Sequence, residues 1–150
     1  MKIKVLDLGC GLGLFGYTLN GLGVEYTGMD KSHWAVNMTA FKNLDIRQGD
    51  ITEKQDFKDF DLVLVIDILE HLEEKDLDKT LNYIKEYGNK FIFSIPYDTD
   101  PNIDLDPTHR IKKPKSWWVK KLSKYMNISD APKHWWYHHQ ILIGGKNKKN

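Results

Sequence analysis

Val5-Leu6-Asp7-Leu8-Gly9-Cys10-Gly11-Leu12-Gly13-Leu14-Phe15-Gly16 is an apolar run that ends in an acid and then in alternating glycines. Ile3 to Leu8 reads as a buried β-strand. The glycines let the backbone turn sharply, approach a ligand closely and enter a helix. Such a strand, loop and helix open an α/β sheet with a small molecule at its edge. Two ligand classes satisfy the pattern. Gly11-Leu12-Gly13-Leu14-Phe15-Gly16 matches the dinucleotide fingerprint G-x-G-x-x-G. Asp7, facing the same ligand from the strand end, weighs against it, because a carboxylate repels a pyrophosphate held by backbone N–H groups and the positive helix end. It suits a ligand that carries an ammonium.

Outward from this loop, strand-like and helix-like segments alternate, as in βαβ units. A helix is expected over Leu14 to Leu22 and a second strand over Val24 to Met29. That strand ends in Asp30-Lys31-Ser32, with Ser32 as N-cap of a helix through Phe41. Leu44 to Gln48 is a third strand, followed by Gly49-Asp50-Ile51-Thr52. Asp61 to Asp67, with five consecutive apolar residues inside it, reads as the sheet centre. Leu77 to Tyr87 has helical spacing, Lys90 to Ile95 is a fifth strand, and Lys115 to Tyr125 a further helix. The last strands fall between Asn127 and Gly145, the sixth somewhere between Ile128 and Trp136.

The 150 residues, 41% hydrophobic and 29% charged, suit one domain spanning 1–150. Cys10 is the single cysteine, which excludes an internal disulfide and points to a reducing compartment. It reads better as a small residue at a crowded turn than as a nucleophile. No stretch approaches the roughly 18 apolar residues of a membrane span, so a soluble, cytoplasmic protein with no membrane partner is expected. Charge is uneven: up to Arg110 there are 12 Lys+Arg against 20 Asp+Glu, and from Ile111 onward 10 against 1. The basic part carries Trp117-Trp118 and Trp135-Trp136, a pattern compatible with RNA as a partner. The competing reading makes the tryptophans core, and the lysines a solvated face with a frayed tail.

The acid followed by x-G-x-G-x-G resembles the first motif of the class I S-adenosylmethionine (SAM)-dependent methyltransferases, and Asp7, Gly9, Gly11 and Gly13 match it position by position. The resemblance implies a Rossmann-like three-layer αβα sandwich, with a mostly parallel seven-stranded sheet whose last strand is antiparallel. It implies SAM as cofactor, the loop with Cys10 lying against its methionyl part and Asp7 holding its amino end. Asp30, with Lys31 beside it, would accept from the ribose hydroxyls; Asp50 and Ile51 would meet the adenine. Phe60-Asp61-Leu62-Val63-Leu64-Val65-Ile66-Asp67-Ile68-Leu69-Glu70-His71-Leu72 resembles the fourth motif of the branch with F-D-x-V, an acid and x-L-E-H, which dinucleotide oxidoreductases lack. Asp67 would lie beside the methionyl end, and Glu70 and His71 would start the next helix.

Methyl transfer from a sulfonium needs alignment and, for a hydroxyl acceptor, a base. His71, His109 and Tyr97 are the candidates, His109 within a long acidic loop from Asp98 to Arg110. No metal is expected, since His134, His138 and His139 lack Cys or acid partners. Members of this family commonly carry one or two helices before the first strand. Here these N-terminal helices are expected to be missing, leaving an exposed site for a homodimer, another partner, a large acceptor or the 98–110 loop to complete. Ile68-Leu69 after Asp67 departs from the N/D-P-P-Y/F signature of amino-group methylation, which favours a small-molecule hydroxyl acceptor. Two alternatives stand beside methyl transfer: an NAD-dependent oxidoreductase, and a non-catalytic SAM-binding module that needs a partner.

Overall fold

The apolar run forms β1 (Lys4–Leu8) at the heart of a seven-stranded sheet. A computed structural model describes residues 2–38, 43–135 and 140–146. β2 (Glu25–Asp30) and β4 (Phe60–Ile66) flank β1 in parallel register, with β3 (Asp45–Gln48) outside β2 and β5 (Gly88–Ser94) outside β4. β7 (Ile141–Gly145) runs antiparallel to β5, and β6 (Asn127–Asp130) antiparallel to β7. The strand order is β3-β2-β1-β4-β5-β7-β6, and the seven strands, mostly parallel with an antiparallel last one, match the expected sheet. Its winding reverses between β1 and β4, the place where open α/β sheets leave a crevice beyond their carboxyl ends.

The period of two along each strand divides the burial between two faces. Leu6 and Leu8, Val63 and Val65, and Phe91 and Phe93 belong to one core with α3 (Glu74–Tyr87) and α4 (Lys115–Leu122). From α3 it takes Leu77, Leu81 and Ile84, all fully buried, each contributing roughly 1.5–3 kcal/mol by leaving water. From α4 it takes Trp118, whose complete burial favours the core reading of that tryptophan. Trp117 lies within cation–π distance of Lys113 and Lys121, at 5.4 and 5.3 Å. The other face is thinner. There α1 (Leu14–Gly21) crosses Tyr26 so closely that a Cβ on Gly16 would fall 2.4 Å from the ring. Leu14, Phe15, Leu22, Trp34 and Met38 stay exposed.

Several boundaries differ from expectation. Ser32 caps α2 (His33–Asn37) by accepting from Ala35 N–H at 3.2 Å, while the expected end at Phe41 lies outside the described residues. Trp136, His138 and His139, and the alternation beginning at Tyr137, also lie outside them. The fourth helix stops at Leu122 rather than Tyr125, whose hydroxyl instead donates to Asp78 at 2.6 Å. Glu70 and His71 do not start α3. Leu69–His71 is a separate 3-10 turn, and Leu72 and Glu73 are extended before the helix begins. That break aims Glu70 inward and leaves His71 half-buried.

Candidate cofactor cleft and active site

The glycine loop is held by its own neighbours. Gly9 and Cys10 donate their N–H groups to the Met29 carbonyl at 2.7 and 3.0 Å, and Gly13 donates to the Cys10 carbonyl at 2.9 Å. Asp30 Oδ2 accepts from Gly11 N–H at 2.9 Å, and Asp30 Oδ1 from Ser32 N–H at 2.8 Å. Four loop N–H groups are thus satisfied within the protein, one of them by a carboxylate. A pyrophosphate needs such groups for itself and meets a negative charge here. The loop is built for a different ligand from the one its G-x-G-x-x-G spacing advertises.

Beyond the strand ends lies a cleft of about 630 Å³. Of the residues anticipated from sequence, Gly9, Asp30, Lys31, Asp50, Ile51, Asp67 and His71 line it. Each carboxylate is anchored locally. Asp50 Oδ1 accepts from both the N–H and the hydroxyl of Thr52, at 2.8 Å each. Burial alone would raise its pKa, but these bonds and the charges of Lys31 and Lys79 outweigh it and hold the carboxyl below its ordinary value. Asp67 sits at φ +51, the left-handed region that Asp tolerates better than most residues. Its N–H donates to the Ser94 carbonyl at 2.9 Å, and its Oδ1 accepts from the Ser94 hydroxyl at 2.8 Å. Ile68, Thr108 and Arg110 also line the cleft, though none is a candidate site residue from sequence.

Other anticipated residues stand elsewhere. Asp7 is not at the cleft surface: it is 2% exposed, and its carboxylate accepts from the Tyr26 hydroxyl at 2.8 Å. It lies on the face that the strand period turns toward α1, so it supports the loop from beneath. Cys10, Gly11 and Gly13 shape the loop without lining the cleft. The Cys10 sulfur lies where a Cβ on Gly28 would be, and burial with the charges of Asp7 and Asp30 pushes its thiol up to about 12, which disfavours a nucleophilic role. Tyr97 is also away from the cleft, 5% exposed, with a hydroxyl that has no partner among the described residues. Burial and the charge of Asp130 raise that phenol to about 12, far from a base at neutral pH.

Asp7 has a measurable consequence. Burial pushes its carboxyl up from 3.8 to about 6, against the hydrogen bond from Tyr26 and with the charge of Asp30. The folded state therefore keeps this proton at pH values where the unfolded chain releases it. The associated stability is fully present below about pH 4 and is lost as pH rises to about 6, by roughly 3 kcal/mol. Asp7→Asn still accepts from Tyr26 and is expected to abolish this component. Urea unfolding from acid to neutral pH checks it, and an undiminished pH dependence in the variant would contradict the assignment.

His71 and His109, 38 positions apart, are brought together by one backbone junction. The Glu70 carbonyl accepts from Arg110 N–H at 2.7 Å and from Ile111 N–H at 2.9 Å, which docks the 98–110 loop on the 3-10 turn. The two imidazoles then meet at 4.9 Å between centroids, their planes tilted by 57°. Glu70 is 0% exposed, and neither carboxylate oxygen has a hydrogen-bond donor among the described residues. Burial, reinforced by the charges of Asp67 and Asp106, pushes its carboxyl up to about 8.

A mixed sheet with its crevice at the β1/β4 reversal, a self-satisfied glycine loop and carboxylates at successive strand ends define a Rossmann-like cofactor-binding domain of the kind that handles a cationic donor. The family model described as "Methyltransferase domain" matches residues 5–88, and the chain belongs to that family. A curated relative, the ubiquinone biosynthesis O-methyltransferase of Pelagibacter ubique (strain HTCC1062), is 31% identical over 102 residues, covering 63% of this chain. The match spans 42% of that protein's length. Two solved structures share the fold. The PH0226 protein of Pyrococcus horikoshii OT3 has a TM-score of 0.75 at 20% identity over 98% of this chain and 83% of its own. A SAM-dependent methyltransferase from Archaeoglobus fulgidus has a TM-score of 0.75 at 18% identity over 97% and 86%. The family implies SAM as the cofactor, and the cleft fits it: Asp30, Asp50, Asp67, Glu73 and Asp76 against Lys31 and Arg110 make an acidic lining. Among the described residues no helix is long and apolar enough to cross a membrane.

Proposed function

We propose that this domain transfers a methyl group from SAM to a hydroxyl of a small-molecule acceptor. The observation that carries the reading is the convergence of Asp30, Asp50 and Asp67, from three successive strand ends, on one cleft beside Gly9. Asp30 with Lys31 would hold the ribose, Asp50 and Ile51 the adenine, and Gly9 with Asp67 the methionyl end. A carboxylate accepts from the two hydroxyls of a diol or from an ammonium with equal facility, which is why acids recur at each station.

When bound, SAM supplies a methyl group already activated by its sulfonium. The chain's own residues then have to orient the acceptor, exclude water and take the hydroxyl proton. The acceptor end is assigned to His71, Thr108 and Arg110, which share the cleft with Asp67. A hydroxyl acceptor is supported by Asp67-Ile68-Leu69 in place of an N/D-P-P-Y/F signature, and by the relative named as an O-methyltransferase.

Calorimetry with SAM and S-adenosylhomocysteine is expected to show one site per chain, followed by S-adenosylhomocysteine release in a panel of phenolic and aliphatic hydroxyl acceptors. No heat with either compound at millimolar concentration would overturn the cofactor assignment. Binding without turnover until a second protein is added would favour the SAM-binding module. NADH binding without SAM binding would favour the oxidoreductase.

A further inference from the structure

We propose that Glu70, His71 and His109 form a binding site for a divalent transition cation of the zinc type. One ligand atom from each lies within 4.8 Å of the others, and Glu70 Oε1 is 3.9 Å from His71 Nε2. A tetrahedral ion with bonds near 2.0–2.2 Å holds its ligands roughly 3.3 Å apart, so the set closes by about 1 Å on loading.

Hydrogen bonds on the far side of each ring fix which nitrogen faces the cluster. His109 Nδ1 lies 2.9 Å from the Ile103 carbonyl, which only accepts, so Nδ1 carries a proton and, in the neutral ring, Nε2 the lone pair. The Thr108 hydroxyl lies 2.5 Å from Asp106 Oδ1 and 2.8 Å from His71 Nδ1. Its single proton goes to the carboxylate, so its oxygen accepts from His71 Nδ1–H, and in the neutral ring His71 Nε2 is also bare. This outer arrangement, Nδ1–H on a carbonyl or hydroxyl with Nε2 turned inward, is the one that orients metal-ligating histidines.

The centre of the cluster therefore holds two lone pairs and a fully buried carboxylate with no donor among the described residues. Asp106 adds charge, its Oδ2 3.8 Å from His109 Nε2, and Asp67 acts on Glu70 from the cleft side. An unpaired carboxylate this deep is costly unless a cation or a proton lies beside it. Two imidazoles with one carboxylate select zinc or its first-row neighbours over magnesium and calcium, which take oxygen shells. Because His71 and Thr108 also line the cleft, the cation would stand at the acceptor end, where it lowers the pKa of a bound hydroxyl.

The test needs neither SAM nor acceptor. The full chain, stripped with a chelator, is titrated with cobalt(II), followed by its visible absorption, and then competed with zinc. One cobalt per chain is expected, weakened about tenfold or more in His109→Ala and in Glu70→Gln. Glu70→Gln keeps the side chain's shape and carries the test if His109→Ala melts early. His33→Ala, on the exposed helix α2, is expected to leave the titration unchanged. Absence of a cobalt spectrum at millimolar metal, or equal affinity in wild type and both cluster variants, would overturn the site. Calorimetry with S-adenosylhomocysteine on the same preparation separates this failure from a failure of the cofactor assignment.

Discussion

Gly9→Ala is expected to cost about 2–5 kcal/mol of unfolding free energy. Gly9 sits at φ +75, which costs an L-residue roughly 1–2 kcal/mol. The added Cβ would also fall 2.0 Å from Ile68 Cδ1 and 2.5 Å from Cγ1, and forced repacking costs roughly 1–3 kcal/mol. Gly11 separates the two terms. It also has positive φ, +53, but nothing lies within 4 Å of its Cβ position, so Gly11→Ala should cost only the backbone part. Removing the obstacle tests the steric part: Gly9→Ala with Ile68→Ala should be less destabilised than the sum of the single variants. Urea unfolding measures all four chains. If Gly9→Ala costs no more than Gly11→Ala, the close approach of Ile68 to the loop is wrong.

Asp30→Ala is expected to weaken S-adenosylhomocysteine binding by about a hundredfold or more, equivalent to roughly 2.7 kcal/mol. One carboxylate here serves three elements. It accepts from the glycine loop at Gly11, from the start of α2 at Ser32, and lines the cleft at the proposed ribose station. Each hydrogen bond to a charged group contributes roughly 1.5–3 kcal/mol, and losing both frees the loop as well as removing the acceptor. Asp30→Asn is informative because its amide turns one acceptor oxygen into a donor facing a backbone N–H. It should therefore resemble the alanine variant more than the wild type. Unchanged affinity in Asp30→Ala would remove this residue from the site.

The periodicities carry far in this chain. The apolar runs of β1 and β4, and the spacing of Leu77, Leu81 and Ile84, are local properties of the sequence. Asp30, Asp50 and Asp67 are legible for the same reason, since each lies at or within two residues of the end of a recognisable strand. Less legible is which way a side chain faces across the sheet. Asp7 lies in a register that turns it toward Tyr26, and a motif match carries no information on that choice. Tyr97 is a similar case, because Ile95 and Tyr97 continue the inward alternation of β5 into the core. His71 and His109 were visible separately, but their meeting depends on Arg110 and Ile111 docking on the Glu70 carbonyl, a tertiary contact with no local signature.

The unequal faces of the sheet set how the domain opens. Amides of β4, β5 and α3 sit under a continuous core, and their exchange with solvent requires disruption of much of the molecule. The α1 and α2 side leaves Leu14, Phe15, Leu22, Trp34 and Met38 exposed, so it is expected to open at lower free energy than the core side. The glycine loop belongs to that loosely held half. A ligand seated on it then acts as a clasp: its binding free energy adds to the local opening free energy of α1 and α2, and the domain gains rigidity where it has least.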